Sequence, residues 1–166
     1  MDPATIQAMF RFNTWANDGV REGLLAADEQ VLRAPIEGFW FGSIFFILTH
    51  ILGGETIWLA RLRDPDAAAR APGMDEFASA EGLADAWRKK DEEWEDWAAG
   101  ASAEDLAGTQ TWRRRDGGEY SLQRGQLAMQ IAFHGTEHRG HATVAMTQLG
   151  IKHGPQDFLD QFRART

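Results

Sequence analysis

The chain predicts an all-α fold, a four-helix bundle with a short hairpin or loop insert before the last helix. Four long segments repeat their apolar residues at helical spacing. An Asp116-Gly117 turn signal breaks the pattern between the third and fourth of them. At 166 residues and 43% hydrophobic, the chain has material for one domain, residues 1–166, with a substantial core.

The first helix runs from Asp2 to Ala27. Asp2 supplies an N-cap oxygen, and Pro3 loses nothing at a position whose N–H has no helical partner. Ile6, Phe10, Asn13, Asn17, Val20 and Leu24 share its inner face. The two amides on that stripe need partners, so they tie helices together or face a polar pocket. Ala8, Phe12 and Trp15 make a second apolar side, which suits a central helix or a subunit contact.

The second helix runs from Ser43 to Arg63 and stops at Asp64-Pro65. Ser43, Phe46, Ile47, His50, Gly54, Ile57 and Trp58 share one broad face, so His50 points with large hydrophobes. The Gly53-Gly54 pair costs about 1 kcal/mol per glycine against alanine, which a close-packed neighbour would justify. A loop over 66–78 leads to a third helix, Ser79 to Ala99, striped by Leu83, Trp87, Trp94 and Trp97. Arg88, Lys89, Asp91, Glu92, Glu95 and Asp96 fall mostly on its wet side. The insert over 101–120 places strands at Thr109–Arg113 and Glu119–Ser121. The fourth helix starts at Ser121 as N-cap, without a capping box, and stops at Gly150. Phe158, Leu159 and Phe162 of the tail can pack back onto the helices.

Composition excludes several functions. Without cysteine there are no disulfides, thiolate metal sites or cysteine nucleophile. A net charge of -8 is the reverse of a duplex-binding surface, so no nucleic-acid partner is expected. Arg113, Arg114 and Arg115 are the one tight basic cluster and read as a solvated face. The uncharged stretch from Gly38 to Gly54 holds His50 and four glycines, short of the ~20 apolar residues of a membrane span. The start has no basic n-region. A cytoplasmic protein with no membrane partner is therefore expected.

Any chemistry sits on the histidines. His134 and His138 lie one turn apart on the fourth helix, a spacing that lets two imidazoles meet one ion. An inward His50 could complete a set of three with an open position, as in catalytic metal sites. The competing reading makes each a hydrogen-bonded core histidine. His141 is two turns from His134 and suits a supporting or substrate-facing place; His153 reads as a surface residue. Glu137 lies near the ligand face and could act as a general base. His134 to His138 also matches the H-x-x-E-H pattern of inverzincin peptidases. Those enzymes find their third ligand far downstream, and only 28 residues follow His138 here.

Three blocks resemble the signatures of the DinB family: Trp15–Val20 (WANDGV), Ser43–Leu62 (SIFFILTHILGGETIWLARL) and His134–Lys152 (HGTEHRGHATVAMTQLGIK). Their order and spacing agree over most of the chain, and the His138-Arg139-Gly140 step is the most specific part. The third helix and the insert carry little of the resemblance. It implies a four-helix bundle of up-down-down-up connectivity and frequent homodimers. It also implies a divalent metal, zinc or nickel, held by His50, His134 and His138. Relatives in the wider superfamily include hydrolases and transferases or isomerases that use a small external thiol such as mycothiol, bacillithiol or glutathione. The family often has glutamine where this chain has His141, which leaves a fourth nitrogen ligand or an altered pocket open. The expected function is activation of water or an external thiol at the metal, on an unknown small-molecule substrate, with Glu137 or His141 moving the proton. The alternatives are a non-catalytic metal or stress-response module and a dimeric scaffold without metal.

Overall fold

The computed structural model describes residues 1–65, 67–113 and 117–162. Asp66, Arg114, Arg115 and Asp116 lie outside the described residues, and with them the centre of the basic cluster and the Asp116-Gly117 turn. The chain is mostly helical, with one small two-stranded antiparallel sheet.

Helix α1 spans Pro3–Ala26, and the Asp2 carboxylate accepts the Thr5 N–H at 3.1 Å. A short helix, α2 (Glu29–Arg33), follows. Asp28 caps it by accepting the Gln30 N–H at 2.7 Å. Helix α3 (Ile44–Arg63) starts where the Ser43 hydroxyl accepts the Phe46 N–H at 3.2 Å. Helix α4 (Ala80–Gly100) is capped by Ser79. Helix α5 (Ala103–Ala107) is closed by reciprocal bonds between Ser102 and Asp105, 3.1 Å each. Strands β1 (Thr109–Arg113) and β2 (Glu119–Gln123) lead into α6 (Arg124–Gln148). Gly150 at φ +72° ends α6, a left-handed turn that costs glycine nothing.

The start of the last helix differs from the sequence expectation. Ser121 is not its cap but pairs with Thr111 across the hairpin, their hydroxyls 2.7 Å apart. The ladder runs on to Thr109↔Gln123 and holds those backbone groups in the sheet. Helix α6 begins only at Arg124, whose N–H reaches the Gly108 carbonyl at 2.8 Å. The Gln123 N–H is then met by the Gln126 side chain at 3.1 Å.

Four long helices surround the interior, α1 against α4 and α6, and α3 against α6 and α4. Each buried stripe reads apolar, polar, apolar. On α1, Ile6 and Phe10 precede Asn13 and Asn17, then Val20 and Leu24. On α6, Leu127 and Ile131 precede Arg139, then Ala142 and Met146. On α3, Leu48 and Ile51 precede Glu55, then Leu59 and Leu62; on α4, Leu83 and Trp87 precede Asp91, then Trp94 and Ala98. One apolar cluster gathers Ile6, Leu62, Trp94 and Leu127, and the other gathers Leu24, Ile44, Leu83 and Met146. Helices α1 and α6 enter the first cluster first, and α3 and α4 enter it last. The two pairs therefore run in opposite directions.

The layer between the clusters is a charge network. Glu55 accepts the Asn13 amide at 3.0 Å, the Asn17 amide at 3.3 Å and the Trp87 indole N–H at 2.9 Å. Asp91 accepts Asn17 at 2.7 Å and pairs with Arg21. Arg139 donates to the Asn13 and Asn17 carbonyl oxygens at 2.6 and 2.8 Å. The asparagines thus tie helices. Asp91, expected on the wet face of α4, is 1% exposed, because Arg21 and Asn17 of α1 meet it there. Burial and the nearby Glu55 push Asp91 up to about 8, against the pull of Arg21. Burial brings Arg139 down to about 10, while Glu55 and Asp91 hold it up.

The second apolar side of α1 is covered by the chain's own tail. Phe12 meets the Phe158 ring at 5.1 Å, and the Gly154 N–H bonds the Gly19 carbonyl at 2.8 Å. Helix α3 alone among the described helices has the length and apolar composition of a membrane span. In this fold 56% of that window is buried, with Glu55 in its core face.

Replacing Arg139 by methionine keeps the bulk and removes the cation from this layer. Arg139 donates to the Asn13 and Asn17 carbonyl oxygens, and leaving two such buried acceptors unmet costs about 1–3 kcal/mol each; at about 2–4 °C per kcal/mol for a chain of this size the expected Tm loss is roughly 10 °C. Thermal denaturation followed by circular dichroism checks it; a Tm within a degree of the parent would show that the cation adds nothing.

Candidate metal centre

Three imidazoles converge between α3 and α6. His134 and His138 stand one turn apart on α6, their ring centroids 4.2 Å from each other. His50 of α3 faces both, at 5.1 Å from the His134 ring and 4.7 Å from the His138 ring. One nitrogen from each lies within 4.8 Å of the other two, so the three can hold one metal ion. The His50 and His134 Nε2 atoms are 3.2 Å apart.

Local sequence explains the approach. A Cβ on Gly54 would stand 2.8 Å from His134 Cε1, so the glycine expected to face a close neighbour makes room for the imidazole. Gly53 does the same for Ala71, whose Cβ would be 2.8 Å away. Gly135 leaves space for the Asn13–Arg139 bond, which holds α6 against α1 just beside His134. The fully buried face of α3 carries Ile47, Leu48, Ile51, Leu52 and Glu55. His50 lies at its edge, next to the exposed Phe46, rather than among the innermost hydrophobes as the sequence pattern implied.

The site favours neutral rings. Burial lowers the pKa of His50. Burial, reinforced by His138 and His50, brings His134 down to about 4. Burial and then His50 lower His138, with Glu137 pulling the other way. Neutral imidazole is the form that ligates metals. The Nδ1 atoms of His134 and His138 are buried with no hydrogen-bond partner. Leaving such groups unmet costs about 1–3 kcal/mol each, so a core-histidine reading is poorly satisfied here. The donor set suits a borderline cation such as zinc or nickel.

The remaining candidates stand at the rim. His141 is exposed, its ring 5.9 Å from that of His138 and 5.7 Å from that of Phe41, outside the group of three. Glu137 is also exposed, on the turn between the two α6 ligand candidates. His153 is half-buried and bonds the Gly154 carbonyl and Thr147, fastening the tail. Sequence reasoning missed Phe41, whose ring lies 5.0 Å from His138 and 5.6 Å from His50. It sits in a loop without periodicity, so no pattern pointed to it.

The model of the DinB family matches residues 1–165. The chain belongs to the DinB family. Among solved structures, this DinB chain is similar to a DinB-like protein from Bacillus cereus ATCC 10987. The TM-score is 0.62 at 19% sequence identity, over 86% of this chain and 91% of that one. Likeness at that identity speaks to fold alone. No curated protein matches the chain.

Two measurements test this geometry. In Gly54→Ala the helix gains about 1 kcal/mol of propensity, but the His134 ring must move. We expect unchanged helicity and zinc affinity at least about tenfold weaker, the loss typical when a group that orients a ligating histidine is disturbed; unchanged affinity would show that the glycine does not set the ring. In the metal-free protein, proton NMR should show His134 titrating near pH 4. Because the folded pKa lies below the unfolded value, protons favour the unfolded chain between about 6.5 and 4. Stability should therefore fall as pH drops through that window, and less so in His134→Gln.

Proposed function

We propose that this DinB-family chain is a metal-dependent enzyme of hydrolase or thiol S-transferase type. Its centre is a divalent ion, zinc or nickel, at His50, His134 and His138. One observation carries the reading: three imidazoles held neutral share one point, and each remains partly exposed, which leaves an open side. A bound divalent ion supplies Lewis acidity, which lowers the pKa of water or of an external thiol toward neutrality.

The chain's own residues do the rest. Gly54 and the Asn13–Arg139 bond fix where the imidazoles stand. Phe41 covers the rings of His50 and His138 and keeps bulk water from that side. Glu137 and His141, exposed at the rim, take up the proton released at the centre and return it to the leaving group. Without cysteine, any thiol must be a small external molecule. The fold is read as one up-down-down-up four-helix bundle, supported by the shared direction of α1 and α6. A cytoplasmic homodimer belongs to the same proposal.

Elemental analysis of untagged protein purified without added metal tests the centre. The expected result is about one zinc or nickel per chain, the stoichiometry of a single catalytic site, lost in His50→Ala and in His138→Ala. Metal retained by both variants would remove the assignment.

A further inference from the structure

Resting on the metal reading, we infer that the pocket beside the centre, walled by Trp40, Phe41 and Phe46, takes an uncharged, apolar or aromatic substrate body. The pocket has a volume of about 420 Å³ and is completed by Pro35, Met74 and Arg33. It shares two walls with the histidines. Phe46 lies one turn before His50, ring centroids 6.5 Å apart, and Phe41 touches both His50 and His138. A head group at the metal would place its body across Phe46 and into this space.

The exposure of the aromatic wall is built, not incidental. Trp40 is 91% exposed and Phe46 42% exposed, a large apolar area to leave in water. The loop that presents Trp40 is tied within itself: the Ile36 N–H reaches the Gly42 carbonyl at 2.7 Å, and the Gly42 N–H reaches the Phe39 carbonyl at 2.8 Å. Gly38 and Gly42 adopt φ of +73° and +74°, a left-handed conformation that glycine takes without strain.

Charge decides the substrate class. Arg33 is the pocket's cation, and it is already committed. Its guanidinium lies 3.6 Å over the Phe45 ring and donates to Glu29 and to the Phe77 carbonyl, both at 2.8 Å. Among the described residues that line the pocket, a carboxylate-rich thiol finds no uncommitted cation, whereas an aryl or alkyl body finds three aromatic faces.

Calorimetry on the zinc-loaded protein tests this with three thiols: benzyl mercaptan, 2-mercaptoethanol and mercaptosuccinate. Burying the phenyl ring should make benzyl mercaptan about tenfold to a hundredfold tighter than 2-mercaptoethanol, with mercaptosuccinate no tighter than 2-mercaptoethanol. Trp40→Ala and Phe46→Ala should each shrink that gain with zinc content unchanged, while Leu122→Ala on the hairpin leaves it intact. Equal affinities, a gain untouched by both variants, or tightest binding of mercaptosuccinate would overturn the inference and leave the metal reading standing. If sedimentation shows that Trp40→Ala splits a dimer without altering the gain, the wall belongs to a second copy and the inference fails. Protein that takes up no zinc overturns the metal reading and this one with it.

Discussion

A layer of buried charge at mid-height governs how the four long helices meet. Glu55, Asp91, Arg21 and Arg139 are each at most 2% exposed, two carboxyl groups and two guanidiniums joined through Asn13 and Asn17. Apolar faces alone tolerate sliding, because Leu against Ile is nearly as good one turn away. A charge layer does not, since any slip leaves a carboxylate or a guanidinium unpaired in low dielectric. One turn of slip moves a side chain about 5.4 Å, far more than a hydrogen bond spans. The layer thus sets the register of α3 against α6.

That register is also what brings the histidines together. Glu55 follows Gly54, which makes room for His134; Arg139 follows His138. The network and the candidate centre are neighbouring residues on the same two helices, facing opposite sides of the α3–α6 seam. Fixing one fixes the other. The tail adds a third point of support, because Gln156 accepts the Arg139 Nε–H at 3.0 Å and donates to the Ala16 carbonyl at 3.0 Å. The segment that covers the second apolar side of α1 therefore also steadies the residue beside His138.

Much of this was legible in the sequence, for identifiable reasons. The long helices announce themselves by period and by Asp2, Ser43 and Ser79 at their starts. His134 and His138 are visible because four-residue spacing puts them on one face. Asn13 and Asn17 are visible as amides on an apolar stripe. Glu55 and Asp91 were legible in principle, since each occupies a stripe position between hydrophobes, Leu52 and Leu59 for one, Trp87 and Trp94 for the other. A carboxylate's ordinary place is the surface, and only the partner on another helix reverses that expectation. The α2 helix and the Phe41 loop are set by contacts distant in sequence. Ser121 was misplaced because strand pairing outcompeted its capping tendency.

The three histidines also explain why the site tolerates being partly apolar. An imidazole cluster that stayed protonated would repel itself and draw in counter-ions and water. Held neutral by burial, it can sit against Phe41 and Phe46 without that cost. The low histidine pKa values come from that burial, with the Phe41 ring packed on His50 and His138. The cluster therefore combines a shielded face, where Phe41 packs on His50 and His138, with exposed neighbours in Phe46, Glu137 and His141.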